Sequence, residues 1–418
     1  MGLLMIAECR LRNAEFLIAE CEVQSSDYRL RGYVFSWKTF ALLSIVITLV
    51  MTGCSSIRLQ KEVSNDKGNW QQYGGSIERT NVASTAISPP LTQVWDYDAS
   101  AGFSEYSVSV ADSVVFIGTL QGEVYAVQIR TGEKVGKYDF GYPVIGTPVV
   151  DDSMLYVAVA NTKRSLYGYN IQKGKVAWRA ELGGIETSPL LEGDNLYVAT
   201  SAGEVYSIDK HTGSVNWKFV APLFERLAFL HSSPASDGKA IVFGCDDGSL
   251  FCIGKENGQL IWHVTVKKSI FGSPSIREGK VFVGSQDENF YAFDLATGKI
   301  LWTTPLGSRV YTSQAVDDTH VYVGTPGEEL FCLDIATGKI IWRFRAKSVI
   351  ACAPLCSGGI VYVGSLDKNL YALDALSGTM LWKYEAESKI KGMPVAWNDY
   401  LIILLDDRTV VALKQGAK

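Results

Sequence analysis

The chain has 418 residues, of which 47% are hydrophobic and 20% charged, with a formal net charge of −5. That share of apolar residues can build a core and excludes a disordered chain, and the acidic balance offers no electrostatic footing for nucleic acid. Thirty-nine glycines against twelve prolines suit a fold with many tight turns.

Residues 1–33 carry Glu8, Glu15, Glu20, Glu22 and Asp27, and Ile-Ala-Glu-Cys occurs at 6–9 and again at 18–21. An acidic leader is unusual before an export signal and reads as a start site placed too early. Phe40–Met51 is an apolar run behind Arg29, Arg31 and Lys38, and it leads into Gly53-Cys54. It is short for a membrane-spanning helix and suits a signal-peptide core. Met51-Thr52-Gly53-Cys54 resembles the bacterial lipobox, with Met51 where leucine is usual. The resemblance implies acylation of Cys54 as the mature N-terminus. With Ser55 rather than aspartate next, it also implies sorting to the outer membrane, facing the periplasm. More than one acyl chain makes a durable anchor, at about 0.8 kcal/mol per buried methylene. The expected division is a leader and signal peptide over 1–53, a polar tether over 54–69 and a repeat domain over 70–418.

Trp70–Asn81 is a lead-in, and Leu91–Tyr97 (LTQVWDY) reads as a lone strand with its own tryptophan. Repeats follow: Val114–Gly136, with Gly136 in the tryptophan's place, then units ending at Trp178, Trp217, Trp262, Trp302, Trp342 and Trp382. The last three tryptophans are spaced by 40 residues (342 − 302 and 382 − 342). In each unit, short β-branched and aromatic runs such as Val281-Phe282-Val283, Phe290–Phe293 and Ile300–Trp302 alternate with polar turns. These are strands joined by hairpins. In Asp294-Leu295-Ala296-Thr297-Gly298 the carboxylate can accept turn N–H groups, and the glycine supplies the positive φ of a bulged hairpin. Asp334/Gly338 and Asp374/Gly378 repeat the device. Four strands in about 40 residues make one propeller blade. The tryptophans are placed to fill the wedges between blades. The last unit, Gly392–Leu413, lacks a tryptophan-bearing strand, which the Trp95 strand can supply. The fold class is therefore all-β, an eight-bladed propeller of four-stranded antiparallel blades closed between its N- and C-terminal strands.

The recurrent VYVGS…LYALD hairpin, followed by [AS]-x-x-G-x-[LIV]-x-W, resembles the pyrroloquinoline-quinone (PQQ)-type repeat family of eight-bladed propellers over residues 70–413. With a lipobox and no appended domain, the chain is most similar to that family's non-catalytic scaffold lipoproteins of outer-membrane β-barrel assembly. The resemblance implies a partner in the β-barrel assembly machine, through the periplasmic domains of its barrel subunit. It also implies an outer-membrane lipid anchor and no cofactor. The long connection after Trp217 corresponds to the family's docking loop. Here it carries Phe224, Arg226, Leu227, Phe229 and Leu230, apolar groups around an arginine as interface centres favour. The family's Leu-x-Leu-Arg order is absent, and Ser269 and Phe271 stand where an Asp-x-Asp is usual. The alternative is a loop folded over the ring as a satellite of the core.

Counting seven and nine residues past the tryptophans places Arg309, Tyr311, Lys389 and Lys391 at one mouth of the central channel. They form either a basic rim for an acidic loop or small anion, or an ordinary solvated face. Quinoprotein dehydrogenases share the blade signature, and the runner-up reading is a periplasmic PQQ-binding or other ligand-binding redox propeller. Those enzymes need calcium-ligating carboxylates and an adjacent-cysteine disulfide, and no Cys-Cys pair or Cys-x-x-Cys-His site is present. The histidines His211, His231, His263 and His320 show no metal spacing. Cys252 and Cys332 occupy alanine positions of the repeat. Cys245/Cys252 and Cys352/Cys356 are either free and buried or bridged.

Overall fold

The computed structural model describes residues 56–64, 66, 68–106, 108–222 and 229–416 in full, and the backbone of three short strands before them. Those three, Glu8–Leu11, Ala19–Ser25 and Tyr28–Leu30, pair antiparallel within a separate unit, residues 1–55. The signal core, the lipobox and Cys54 lie outside the described residues.

From Ser56 onward the described chain is all-β: eight four-stranded antiparallel sheets, each a blade. Blades 1 to 7 span 108–139, 149–181, 190–220, 235–265, 275–305, 315–345 and 355–385. Blade 8 combines Val395–Trp397, Tyr400–Leu404 and Thr409–Gln415 with the early strand Leu91–Asp98 as its outermost member. Ala412 pairs with Trp95 and Val410 with Tyr97, so the two ends of the domain lock in one sheet. The innermost strand of blade 8 adjoins that of blade 1, and the ring is closed.

The glue between blades follows from one device repeated round the ring. In every blade the register slips by one residue just before the tryptophan position of the outermost strand. The bulge turns the tryptophan into the wedge beside the next blade. There its indole N–H donates to a carbonyl of that blade: Trp95 to Ile129, Trp178 to Lys210, Trp217 to Lys255, Trp262 to Leu295, Trp302 to Ile335 and Trp342 to Ala375. The ring packs on the glycine of the next blade's turn. A Cβ on Gly338, for instance, would sit 2.5 Å from Trp302. That glycine also has φ +70, so the turn conformation and the indole contact both require it. Asp334 Oδ1 accepts from the Thr337 N–H and hydroxyl, which holds the Asp334 carboxyl below its ordinary value.

Gly136 breaks the tryptophan pattern for a physical reason. Residues 56–63 lie in the wedge that its tryptophan would fill. Ile57 is fully buried there, and its N–H donates to the Tyr169 hydroxyl. A Cβ on Gly136 would stand 2.5 Å from the Ser56 carbonyl oxygen and 2.8 Å from Ile57 Cα.

The lead-in then circuits one face of the ring. Trp70 bridges to Val110 in blade 1, and the Gln71 carbonyl accepts from Val150 in blade 2. Gln72 Oε1 accepts from Leu191 in blade 3. The carbonyls of Ile77, Glu78, Thr80 and Asn81 accept from Ser236, Ile276, Val316 and Cys356 in blades 4 to 7. The Thr85 hydroxyl donates to Asn398 in blade 8. Inner strands otherwise present unpaired N–H groups to the channel, and this strap satisfies one in each of blades 2 to 7. At its middle Arg79 is 1% exposed, and its guanidinium donates to the carbonyls of Tyr73, Ser188, Pro189 and Pro234. Burial lowers its pKa to about 9.

Candidate functional site

The opposite mouth of the channel is built by the residue that precedes the turn into each inner strand, a turn that pairs a small hydroxyl residue with proline in blades 2 to 5. In ring order these are Glu105, Ile145, Glu186, His231, Phe271, Tyr311, Ala351 and Lys391. The turn holds them rigidly because its hydroxyls cap the neighbouring blade. Thr147 N–H donates to Ser188 Oγ, Ser188 to Ser233, Ser233 to Ser273 and Ser273 to Ser313, all within 2.8–2.9 Å.

His231 sits between two carboxylates, with Nδ1 3.0 Å from Asp246 and Nε2 3.5 Å from Glu186. Those contacts, Asp246 first, raise its pKa to about 9, and His231 in turn lowers that of Glu186. Its ring faces Phe271 at 5.0 Å, and Phe271 faces Tyr311 at 6.0 Å, so an aromatic arc crosses blades 4 to 6. This cluster was not legible in the sequence, because Glu186 belongs to blade 3 and His231 and Asp246 to blade 4, 15 residues apart at no motif spacing. Aligning the repeats on the hydroxyl-proline turn puts Glu186 and His231 at the same level.

Among the expected mouth residues, Arg309 is exposed and donates to the Tyr311 hydroxyl at 3.3 Å. Lys389 is exposed, and its carbonyl accepts from the Asp406 N–H. Lys391 Nζ lies 3.7 Å from Asp406. The structure therefore brings Arg309 together with Tyr311, and Lys391 together with an acid.

The long loop leaves blade 3 on this same face. Phe224, Arg226 and Leu227 lie outside the described residues. Phe229 is 43% exposed beside His231, with 6.1 Å between ring centres. Leu230 differs from its expected place at an interface: it is fully buried, packed with Tyr197, Phe243 and Phe251 between blades 3 and 4. No partner can reach it, because the wedge beneath the loop closes only when an apolar side chain fills it. Cys245, Cys252, Cys332, Cys352 and Cys356 are all buried and unbridged, and burial raises every thiol, that of Cys352 to about 12.

The rim of the ring holds a second candidate surface. The bulge that turns each tryptophan inward pushes its preceding residue outward. In blades 4 to 7 these are Ile261, Leu301, Ile341 and Leu381, each roughly half exposed at 52%, 47%, 45% and 51%. Leu260, Ile300 and Met380 beside them are also exposed. Each lies on an outermost strand whose far edge has no strand neighbour among the described residues.

With this geometry described, comparison with known proteins places the chain. The family model described as "Outer membrane protein assembly factor BamB" matches residues 80–220, 220–310 and 291–418. The chain belongs to the BamB family. Its propeller is of the PQQ-repeat type that the recurrent hairpin and tryptophan motif resembled. A BamB of Yersinia pestis is 22% identical over 241 residues, 54% of this chain and 58% of that protein. A BamB of Legionella pneumophila is 26% identical over 186 residues, 42% of this chain and 46% of that protein. The chain thus spans about half the length of the curated relatives it matches. The crystal structure of BamB from Moraxella catarrhalis superposes with a TM-score of 0.66 at 17% identity, covering 78% of this chain and all of that one. The quinohemoprotein alcohol dehydrogenase of Comamonas testosteroni superposes with a TM-score of 0.71 at 14% identity, over 84% of this chain and 81% of its own. Both likenesses concern the fold.

Proposed function

We propose that this protein is a non-catalytic scaffold of the outer membrane. On this reading it is anchored by lipid at Cys54, faces the periplasm, and supports assembly and insertion of β-barrel proteins through protein–protein contacts. Its partner is the barrel-assembly machine, engaged through the periplasmic domains of the barrel subunit. The observation that carries this reading is the rim of blades 4 to 7, where neighbouring unpaired strand edges each display exposed apolar side chains. Such edges accept a partner's strand or apolar surface and are otherwise a liability that soluble proteins blunt with charge. Phe229 extends the contact onto the mouth face. Membership of the BamB family supports the same role. A photo-crosslinking residue at Leu301 or Phe229, in cells making the full chain, is expected to capture a subunit of the assembly machine. Crosslinks to none of its subunits from either position would overturn the proposal.

The shared fold of the quinohemoprotein dehydrogenase favours a second reading, a quinone-binding redox propeller. The residues present do not fit that group. Of the mouth carboxylates, Glu186 and its neighbour Asp246 are committed to His231, Glu105 leads into blade 1 and faces Lys391 and Tyr106, and no two cysteines are adjacent. Among the described residues no three of His, Cys, Asp and Glu are grouped to hold a metal ion. Adding PQQ with calcium is expected to leave the melting temperature unchanged, and a dose-dependent rise would favour the redox reading.

A further inference from the structure

We infer that the rim of blades 1 and 2 is a membrane-facing surface that lies on anionic phospholipid headgroups. The inference rests on the proposed acylation of Cys54 and adds an orientation to it. The described domain begins at Ser56, in the wedge between the outer parts of blades 1 and 2. It is fastened there by the Ile57 N–H on the Tyr169 hydroxyl and the Leu59 N–H on the Ile171 carbonyl. Cys54 is two residues earlier in the sequence, and two extended residues span at most about 7 Å between Cα atoms. Acyl chains on Cys54 therefore cannot lie far from this rim. A long flexible tether would let the propeller float at any angle, whereas this one ends where the wedge begins.

The rim's chemistry matches the surface it would meet. Arg58, Lys61, Lys134, Lys173, Lys175 and Arg179 are all exposed on the anchoring segment, on the outermost strands of blades 1 and 2 and on the turn of blade 2. None of the six is in an ion pair among the described residues, and Gly174, between Lys173 and Lys175, packs directly against the Arg58 side chain. The exposed acids on or beside the same elements are Glu62, Glu133, Asp139 and Asp152, against six cations; Glu181 is already paired with Arg164 at 2.9 Å. A surplus of cations is unexpected in a chain of net charge −5, and it occurs where the anchor emerges. Clustered lysine and arginine beside a lipid anchor supply the second, electrostatic half of membrane attachment. The bulge residues agree. On this side they are Val135 and Ala177, against Ile261, Leu301, Ile341 and Leu381 on the other, so the apolar edges point away from the bilayer toward the periplasm.

The test uses equivalent positions in two blades. Lys175 and Lys339 each lie three residues before a tryptophan, and both are exposed. Lys175→Cys and Lys339→Cys are made in the lipidated full-length protein and probed with a bulky maleimide. The five native thiols of the propeller are buried with raised pKa values and react slowly by comparison. On vesicles of phosphatidylethanolamine and phosphatidylglycerol, labelling of the Lys175→Cys protein is expected to slow at least about fivefold relative to detergent, with high salt or all-phosphatidylcholine vesicles restoring it. The Lys339→Cys protein is expected to label equally in all conditions. Equal reactivity of the two on the anionic vesicles overturns the inference, and so does protection of the Lys339 site instead. Protection of the Lys175 site only in native membranes, and not on protein-free vesicles, would place a protein on this rim and also overturn it. Mass analysis of the N-terminal peptide separates the two layers. Absence of acyl chains on Cys54 removes the anchor and this inference with it, whereas acylated protein with equal reactivity removes the orientation alone.

Discussion

The substitution Gly136→Ala tests whether residues 56–63 stand in for the missing tryptophan. In the intact domain the new Cβ would meet the Ser56 carbonyl oxygen at 2.5 Å and Ile57 Cα at 2.8 Å, both backbone atoms that cannot swing aside. Forcing a methyl into a filled wedge of this kind costs about 1–3 kcal/mol. Gly136 itself is not among the positive-φ residues, so alanine brings no backbone strain. In a chain that begins at Val63 the obstacle is gone. There the same substitution should stabilise by roughly 0.5–1 kcal/mol, as alanine does over glycine in a regular strand. The sign therefore reverses with the length of the N-terminus. The truncation itself should cost about 1.5–3 kcal/mol, the value of burying one isoleucine, because Ile57 is fully buried. Urea unfolding of the four proteins, compared by midpoint at unchanged slope, measures each value. An alanine that costs the same in both lengths, or that stabilises the intact domain, would refute the argument.

Three further outcomes follow from particular contacts. Arg79→Met leaves four buried carbonyls without their donor and should cost about 3–5 kcal/mol in urea unfolding, and a loss below about 1 kcal/mol would mean that water replaces the guanidinium. Trp302→Ala removes a buried indole bonded to Ile335 and should cost about 3–5 kcal/mol, clearly more than Trp382→Ala, because Trp382 is half-buried and shows no such bond among the described residues. The pKa of His231 is raised to about 9, above an ordinary value of 6.5, so its protonated form stabilises the fold. That stability is complete below about pH 6.5 and is lost as the pH climbs through 9. The advantage of the native protein over His231→Gln should be roughly 1–2 kcal/mol at the low end, allowing for solvent screening, and should disappear above pH 9. An advantage that grows with pH would contradict the placement of Asp246 and Glu186.

The ring was legible because its determinants are local and recur. A tryptophan about every 40 residues, a glycine in each turn with an aspartate before it in four of them, and one orphan strand at Trp95 specify eight wedges and the way the circle closes. Gly136 was visible as an exception, but its cause was not, since the group that replaces its side chain lies about 80 residues upstream and has no pattern of its own. The strap was opaque for a related reason. Its bonds are mostly from backbone carbonyls, which any residue supplies, and the side chains of Gln72, Arg79, Asn81 and Thr85 that also bond to the blades follow no repeat. Ile300–Trp302 and its equivalents were legible as strands, but the exposure of Leu301 and its counterparts depends on which face of the outermost strand meets the next blade. At the mouth, Arg309 and Tyr311 could be placed by counting, whereas the His231 cluster depends on blades 3 and 4 meeting and no single repeat encodes it. Leu230 shows the limit of reading a loop by composition, since an apolar residue there serves the wedge below as readily as a partner above.

The scaffold role is tested most directly by purifying the lipidated protein from its own membranes in mild detergent and identifying by mass spectrometry what accompanies it. The account predicts the barrel subunit of the outer-membrane assembly machine in near-stoichiometric amount, diminished when Leu301 and Leu381 are changed to glutamate. Recovery of the protein alone, or with partners outside that machine, would contradict it.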